Sequence, residues 1–89
     1  MKKKQIEIIN KLGLHARAAA KFVTCANNFS SNVHIRHDKQ EVNGKSIMGV
    51  MMLAAAQGTT ITIKTDGEDE IEALAALEEL ILNRFDEKE

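Results

Sequence analysis

His15 is the side chain in this sequence best placed to do chemistry. It follows Gly13-Leu14 and immediately precedes a change to helical periodicity, which puts it at or beside a helix N-cap. In such a helix end the free amides of Ala16, Arg17 and Ala18 point outward, and the aligned peptide dipoles make it partly positive. A phosphoryl group carried on the imidazole would meet ready-made donors there. Arg17 adds a guanidinium fork that suits phosphate oxygens. A neutral imidazole has a lone pair able to attack phosphorus. Spacing alone leaves a plainer alternative standing, a polar residue that only caps a helix at a surface.

The elements that must position His15 follow from periodicity. Gln5-Ile6-Glu7-Ile8 alternates and predicts a strand, broken by Asn10-Lys11-Leu12-Gly13. Ala19, Phe22, Val23 and Ala26 then share one face of a helix, with Arg17, Lys21 and Thr24 opposite. Asn27-Asn28 stops that helix, and Phe29 is expected to fold back onto the core. Val33, Ile35 and His37 alternate with polar residues in a second strand; a turn at Asp38-Lys39-Gln40 leads to a short third strand around Val42. Ser46 opens a short helix from Ile47 to about Leu53, because its hydroxyl can accept from a free amide of the first turn. Thr60 to Thr65 is rich in β-branched residues and is the clearest strand. After Asp66-Gly67, the acidic run Glu68-Asp69-Glu70 suits a helix N-terminus. Ile71, Leu74, Leu77, Ile81 and Phe85 form the expected buried stripe of the last helix, and Asp86 to Glu89 are expected to fray.

The resulting order, β-α-β-β-α-β-α, implies a two-layer α+β domain spanning residues 1–89, one sheet face wet and the other covered by helices. Strand order stays open, and a ferredoxin-like arrangement fits the same pattern. With 44% hydrophobic but only 3% aromatic residues, aliphatic side chains must fill the core. Twelve basic against thirteen acidic residues give a net charge of −1. That balance and the lack of stacking aromatics argue against nucleic acid as a partner. Lys2, Lys3 and Lys4 read as a short solvated terminus. The single Cys25 can form no internal disulfide and is expected to be a packing residue in a reducing compartment. His34 and His37, three apart on a strand, point to opposite faces, and no metal site is expected. No secretory leader or membrane insertion is expected, since the longest apolar run, Gly49 to Ala56, is too short to span a bilayer.

Two segments carry a family resemblance. Gly13-Leu14-His15-Ala16-Arg17-Ala18-Ala19-Ala20 resembles the active-site motif of the histidine-containing phosphocarrier family, HPr, of the bacterial phosphoenolpyruvate-dependent sugar phosphotransferase system. Asn43-Gly44-Lys45-Ser46-Ile47-Met48-Gly49-Val50-Met51 is similar to its second conserved segment, as are Gln57-Gly58-Thr59 and Gly67-Glu68-Asp69-Glu70 to shorter ones. The resemblance covers essentially the whole chain. It implies an open-faced β-sandwich of four antiparallel strands and three helices, and a cytoplasmic, monomeric carrier without a cofactor. His15 would be phosphorylated at Nδ1 by phosphorylated enzyme I and would donate to a sugar-specific IIA component. Arg17 would assist the transfer as the phosphate-contacting side chain. Ser46 would be a regulatory site for an HPr kinase/phosphorylase in bacteria that have one. Lys21, Ile47, Met48 and Met51 would form the docking surface, and flexible methionines suit a surface that meets several partners.

One departure lies near the chemistry: Ala18 stands where the commonest family motif has proline. Proline in a first helical turn stiffens the unfolded chain, an effect of about 0.4–1 kcal/mol. Alanine gives that up and adds one free amide near the phosphate. Two alternatives use the same fold differently. One is a regulatory interaction domain that keeps Ser46 and does not use His15; the other is a nitrogen-type paralogue with the same chemistry and other partners.

Overall fold

Alternation along Thr60–Asp66 sets the sheet. Ile61, Ile63 and Thr65 are buried while Thr60 and Asp66 are exposed, so one face of this strand meets the core. In the computed structural model, which describes residues 1–88, this strand is β4. The others are β1 (Lys2–Glu7), β2 (Asn32–His37) and β3 (Gln40–Asn43). They join in one antiparallel sheet of order β1-β4-β2-β3, in register at Ile6↔Ile61, Ile35↔Ile63 and Ile35↔Val42. Three helices, α1 (Ala16–Ala26), α2 (Ile47–Met52) and α3 (Glu70–Leu82), lie on the apolar face. The architecture is the open-faced β-sandwich, and the strand order removes the ferredoxin-like alternative.

The core is built as the composition requires. Ile6, Ile8, Val33, Ile35, Ile61 and Ile63 from the sheet side meet Phe22, Val23, Val50, Leu77 and Ile81 from the helices. Ala18, Ala19 and Ala26 are fully buried in α1, letting that helix approach closely. Cys25 is half-buried against this cluster, and burial pushes its thiol up from the ordinary value, as befits packing rather than reactivity.

The structure departs from the sequence reading at five places. β1 begins at Lys2 rather than Gln5. Main-chain pairing from Lys2↔Thr65 to Glu7↔Thr60 needs no apolar side chain, and Lys4 leans over to Glu78 of α3 at 2.5 Å. Ile71 is 62% exposed; the buried line of α3 is Ala73, Leu77 and Ile81, and Ile71 lies two positions before Ala73, about 200° around the helix. Finally, α3 stops at Leu82, and Phe85 reaches the core from a turn of its own, Arg84–Asp86. Arg84, Phe85 and Asp86 all have left-handed φ, at 55°, 54° and 61°, a conformation costing about 1–2 kcal/mol per residue. Burial of the Phe85 ring offsets that cost. The tail expected to fray is folded as far as Glu87, whose amide donates to the Arg84 carbonyl; Glu89 lies outside the described residues. Phe29, expected on the core, is half-buried outside it.

Asp69, the residue before α3, ties the loop ahead of β2 to the start of that helix. Its carboxylate accepts from the Ser30 amide (2.9 Å), the Ser31 amide (2.9 Å) and the Ser31 hydroxyl (2.5 Å). The Ser31 hydroxyl, and then the Ser30 amide, hold the Asp69 carboxyl down at about 2. An unfolded aspartate titrates at about 3.9, so this contribution to stability is complete above that pH and lost as pH falls toward 2. Asp69→Asn should therefore melt below wild type at neutral pH, and thermal scans down a pH series should bring the two curves together in acid.

Candidate functional site

His15 is the N-cap of α1, with extended backbone (φ −73°, ψ 179°) and its carbonyl accepting the first helical bond from Ala19 at 2.8 Å. Two contacts place it there. The chain ahead turns at Asn10–Gly13, where the Gly13 amide donates to the Asn10 carbonyl at 3.1 Å. Gly13 then has φ +66°, and a Cβ on it would lie 2.5 Å from the Ala55 carbonyl oxygen, so only glycine fits. Beyond it, the Leu14 amide donates to that same carbonyl at 2.9 Å and the Leu14 side chain is buried.

The imidazole is used on both edges. Nδ1 accepts from the Arg17 amide at 3.3 Å, so this nitrogen faces the helix end. Nε2 is in hydrogen-bond contact with the Glu87 carboxylate, whose other oxygen accepts from Asn10 Nδ2 at 3.0 Å. Asn10 is fully buried, and its Nδ2 also donates to the Gly13 carbonyl at 2.8 Å. Arg17 is exposed in the first turn with Ala16, while Ala18 is buried behind them. Lys21, one turn further on, donates to the Phe85 carbonyl at 2.7 Å. The result is an open groove between the first turn of α1 and the Arg84–Asp86 turn, with His15 on its floor.

Ser46 caps α2, its Oγ accepting from the Gly49 amide at 3.1 Å. The α2 helix packs against α1 and β3 and buries Val50, with Leu53 just beyond. Ile47 (45% exposed), Met48 (73%), Met51 (41%) and Met52 (64%) turn their side chains to solvent, as does Leu12. So much exposed apolar surface on one short helix marks an interaction surface. His34 lies among the polar residues of the open sheet face and His37 alternates to the other side.

Asn10 and Glu87 are the site residues that sequence reasoning passed over. Asn10 had a local signal, since Asn at the first and Gly at the fourth position is a turn preference. Glu87 had none: it meets His15 across a separation of 72 residues.

The chain matches known proteins in sequence and in fold. The family model described as "PTS HPr component phosphorylation site" matches residues 2–83. Phosphocarrier protein HPr of Neisseria meningitidis serogroup A is 58% identical over 89 residues, covering all of both chains. The Pseudomonas aeruginosa protein of the same name is 60% identical over 86 residues, 96% of each. The crystal structure of HPr-C-His from Thermoanaerobacter tengcongensis superimposes with a TM-score of 0.96 at 48% identity, covering the whole of each chain.

Losing an N-cap hydroxyl costs about 1 kcal/mol, a drop of about 4–8 °C in a domain of this size. Ser46→Ala should melt lower by that amount, whereas Ser46→Asp, which keeps an acceptor at the cap, should stay close to wild type in the same calorimetric scan.

Proposed function

The chain belongs to the HPr phosphocarrier family of the phosphotransferase system, and on that premise we propose that His15 takes a phosphoryl group from phosphorylated enzyme I and passes it to a IIA component. The observation that carries this reading is the contact between His15 Nδ1 and the Arg17 amide, which aims one imidazole nitrogen at the positive end of α1. The Nδ1 lone pair forms the new N–P bond as the P–N bond to the donor histidine breaks, the electron pair leaving with the donor ring. Oxygens of the transferring group meet the amides of Ala16, Arg17 and Ala18, and the Arg17 guanidinium closes on them from the solvent side. The same donors serve the return step, so the group is held without being trapped.

Docking uses Ile47, Met48 and Met51 of α2 with Arg17 and Lys21 of α1, because the open groove at His15 leaves recognition to the surface around it. Phosphorylation of Ser46 by an HPr kinase/phosphorylase, in a bacterium that has one, leaves the cap intact, since charge and dipole agree. Its effect falls on partners, by setting negative charge beside Ile47 and Met48. The carrier works as a cytoplasmic monomer, and among the described residues no helix is long and apolar enough to cross a membrane.

Intact-mass analysis after incubation with phosphoenolpyruvate, magnesium and an enzyme I from the same organism tests the assignment. Wild type should gain one acid-labile phosphoryl group and His15→Ala none; normal acceptance by the variant would remove His15 from the site. Arg17→Ala should accept the group roughly ten- to a hundredfold more slowly in a rapid-quench assay, in line with the loss of one charged donor to the transferring phosphate. Unchanged kinetics would exclude Arg17 from the transfer.

A further inference from the structure

The second edge of the His15 ring is as firmly engaged as the first. Glu87 meets Nε2, and the pair is well covered, with side-chain exposures of 13% for Glu87 and 28% for His15. Asn10, buried at the base of the loop, holds the other Glu87 oxygen. The chain reaches this position through the left-handed turn at Arg84–Asp86, a disfavoured conformation fixed from inside by the Phe85 ring and from α1 by Lys21 Nζ on the Phe85 carbonyl. Burial raises the Glu87 carboxyl, but hydrogen bonds from Asn10 and His15 and the charges of His15 and Arg17 outweigh it. The group is held below the usual range and is a carboxylate at neutral pH.

A carboxylate can only accept, so Nε2 must be the nitrogen that carries the proton. The Arg17 amide can only donate, so Nδ1 must carry the lone pair. Two independent contacts therefore select one tautomer, the one with its nucleophilic nitrogen at the helix end. Resting on the carrier reading above, we propose that Glu87 is a positioning residue for phosphoryl transfer, holding the Nε2 proton of His15 so that Nδ1 faces phosphorus. As the N–P bond forms and the donor P–N bond breaks, the Nε2 proton stays on the ring. The ring then gains positive charge, and that charge faces the Glu87 carboxylate. The work is divided: the helix end and Arg17 serve the phosphate oxygens, Glu87 serves the imidazole.

Nitrogen-15 NMR of the free protein at mildly alkaline pH, run beside rapid-quench acceptance from phosphorylated enzyme I, tests this with Glu87→Gln, Glu87→Ala and Glu79→Gln. Wild type should show a protected, downfield Nε2–H proton on His15; Glu87→Ala should lose it and Glu87→Gln should weaken it. Acceptance should slow roughly three- to tenfold in Glu87→Ala, the range for losing a charge-assisted hydrogen bond at a partly exposed site. Glu79→Gln removes the same charge from an exposed position of α3 and should change neither readout. An Nε2–H signal unaltered in Glu87→Ala overturns the proposal, and so does a lost signal with unchanged acceptance. Equal slowing by Glu79→Gln also overturns it, since bulk charge would then suffice. Wild type that accepts no phosphoryl group is a different failure, that of the carrier reading itself.

Discussion

Everything at the site depends on a run of main-chain hydrogen bonds between the segment leaving β1 and the segment entering β4. The Ile8 amide donates to Thr59, the Gly58 amide to Ile8, and the Leu14 amide to Ala55, at 2.7–2.9 Å. Gln57 adds a side-chain donor to the Ile9 carbonyl at 3.2 Å. Neither segment is a strand, yet together they extend the β1·β4 pairing past the end of the sheet. The helix that follows therefore starts at a fixed point. Gly13 is what allows the two backbones to come this close, and His15 takes its place as the N-cap because the chain before it has nowhere else to go.

That arrangement makes the candidate site a property of the backbone more than of a cavity. The donors at the end of α1 are peptide amides, present whatever the side chains are, and their direction is fixed by the helix axis. Arg17 adds a charged side chain in the first turn, while Glu87, held by Asn10, meets the imidazole from behind. The exposed methionines of α2 lie on a separate element from the His15 ring and its hydrogen bonds.

The sequence carried most of this and failed in understandable places. Elements whose faces differ in polarity, such as Thr60–Asp66 and the Ala19, Phe22, Val23, Ala26 face, declared themselves through period alone. The caps at His15 and Ser46 were legible because capping is a local interaction between a side chain and the next three amides. Lys2–Lys4 were not legible as strand, because pairing to β4 is decided by main-chain partners far along the chain. Ile71 looked like core because α3 has more apolar residues than its buried line needs. Glu87 could not be found at all from spacing. Its position depends on three left-handed residues in a row, none of them glycine, and on a ring buried at the end of the chain.

The sheet order has a consequence for the two rims of the sheet. Its two outer strands are β1 and β3, and each leaves a row of main-chain donors and acceptors without a neighbour. On β1 that row runs beside three consecutive lysines; β3 is only four residues long and ends in Asn43. Like charge on one rim and brevity on the other are the features by which exposed strand edges resist the addition of a further strand, so the sheet is guarded at both sides by different means.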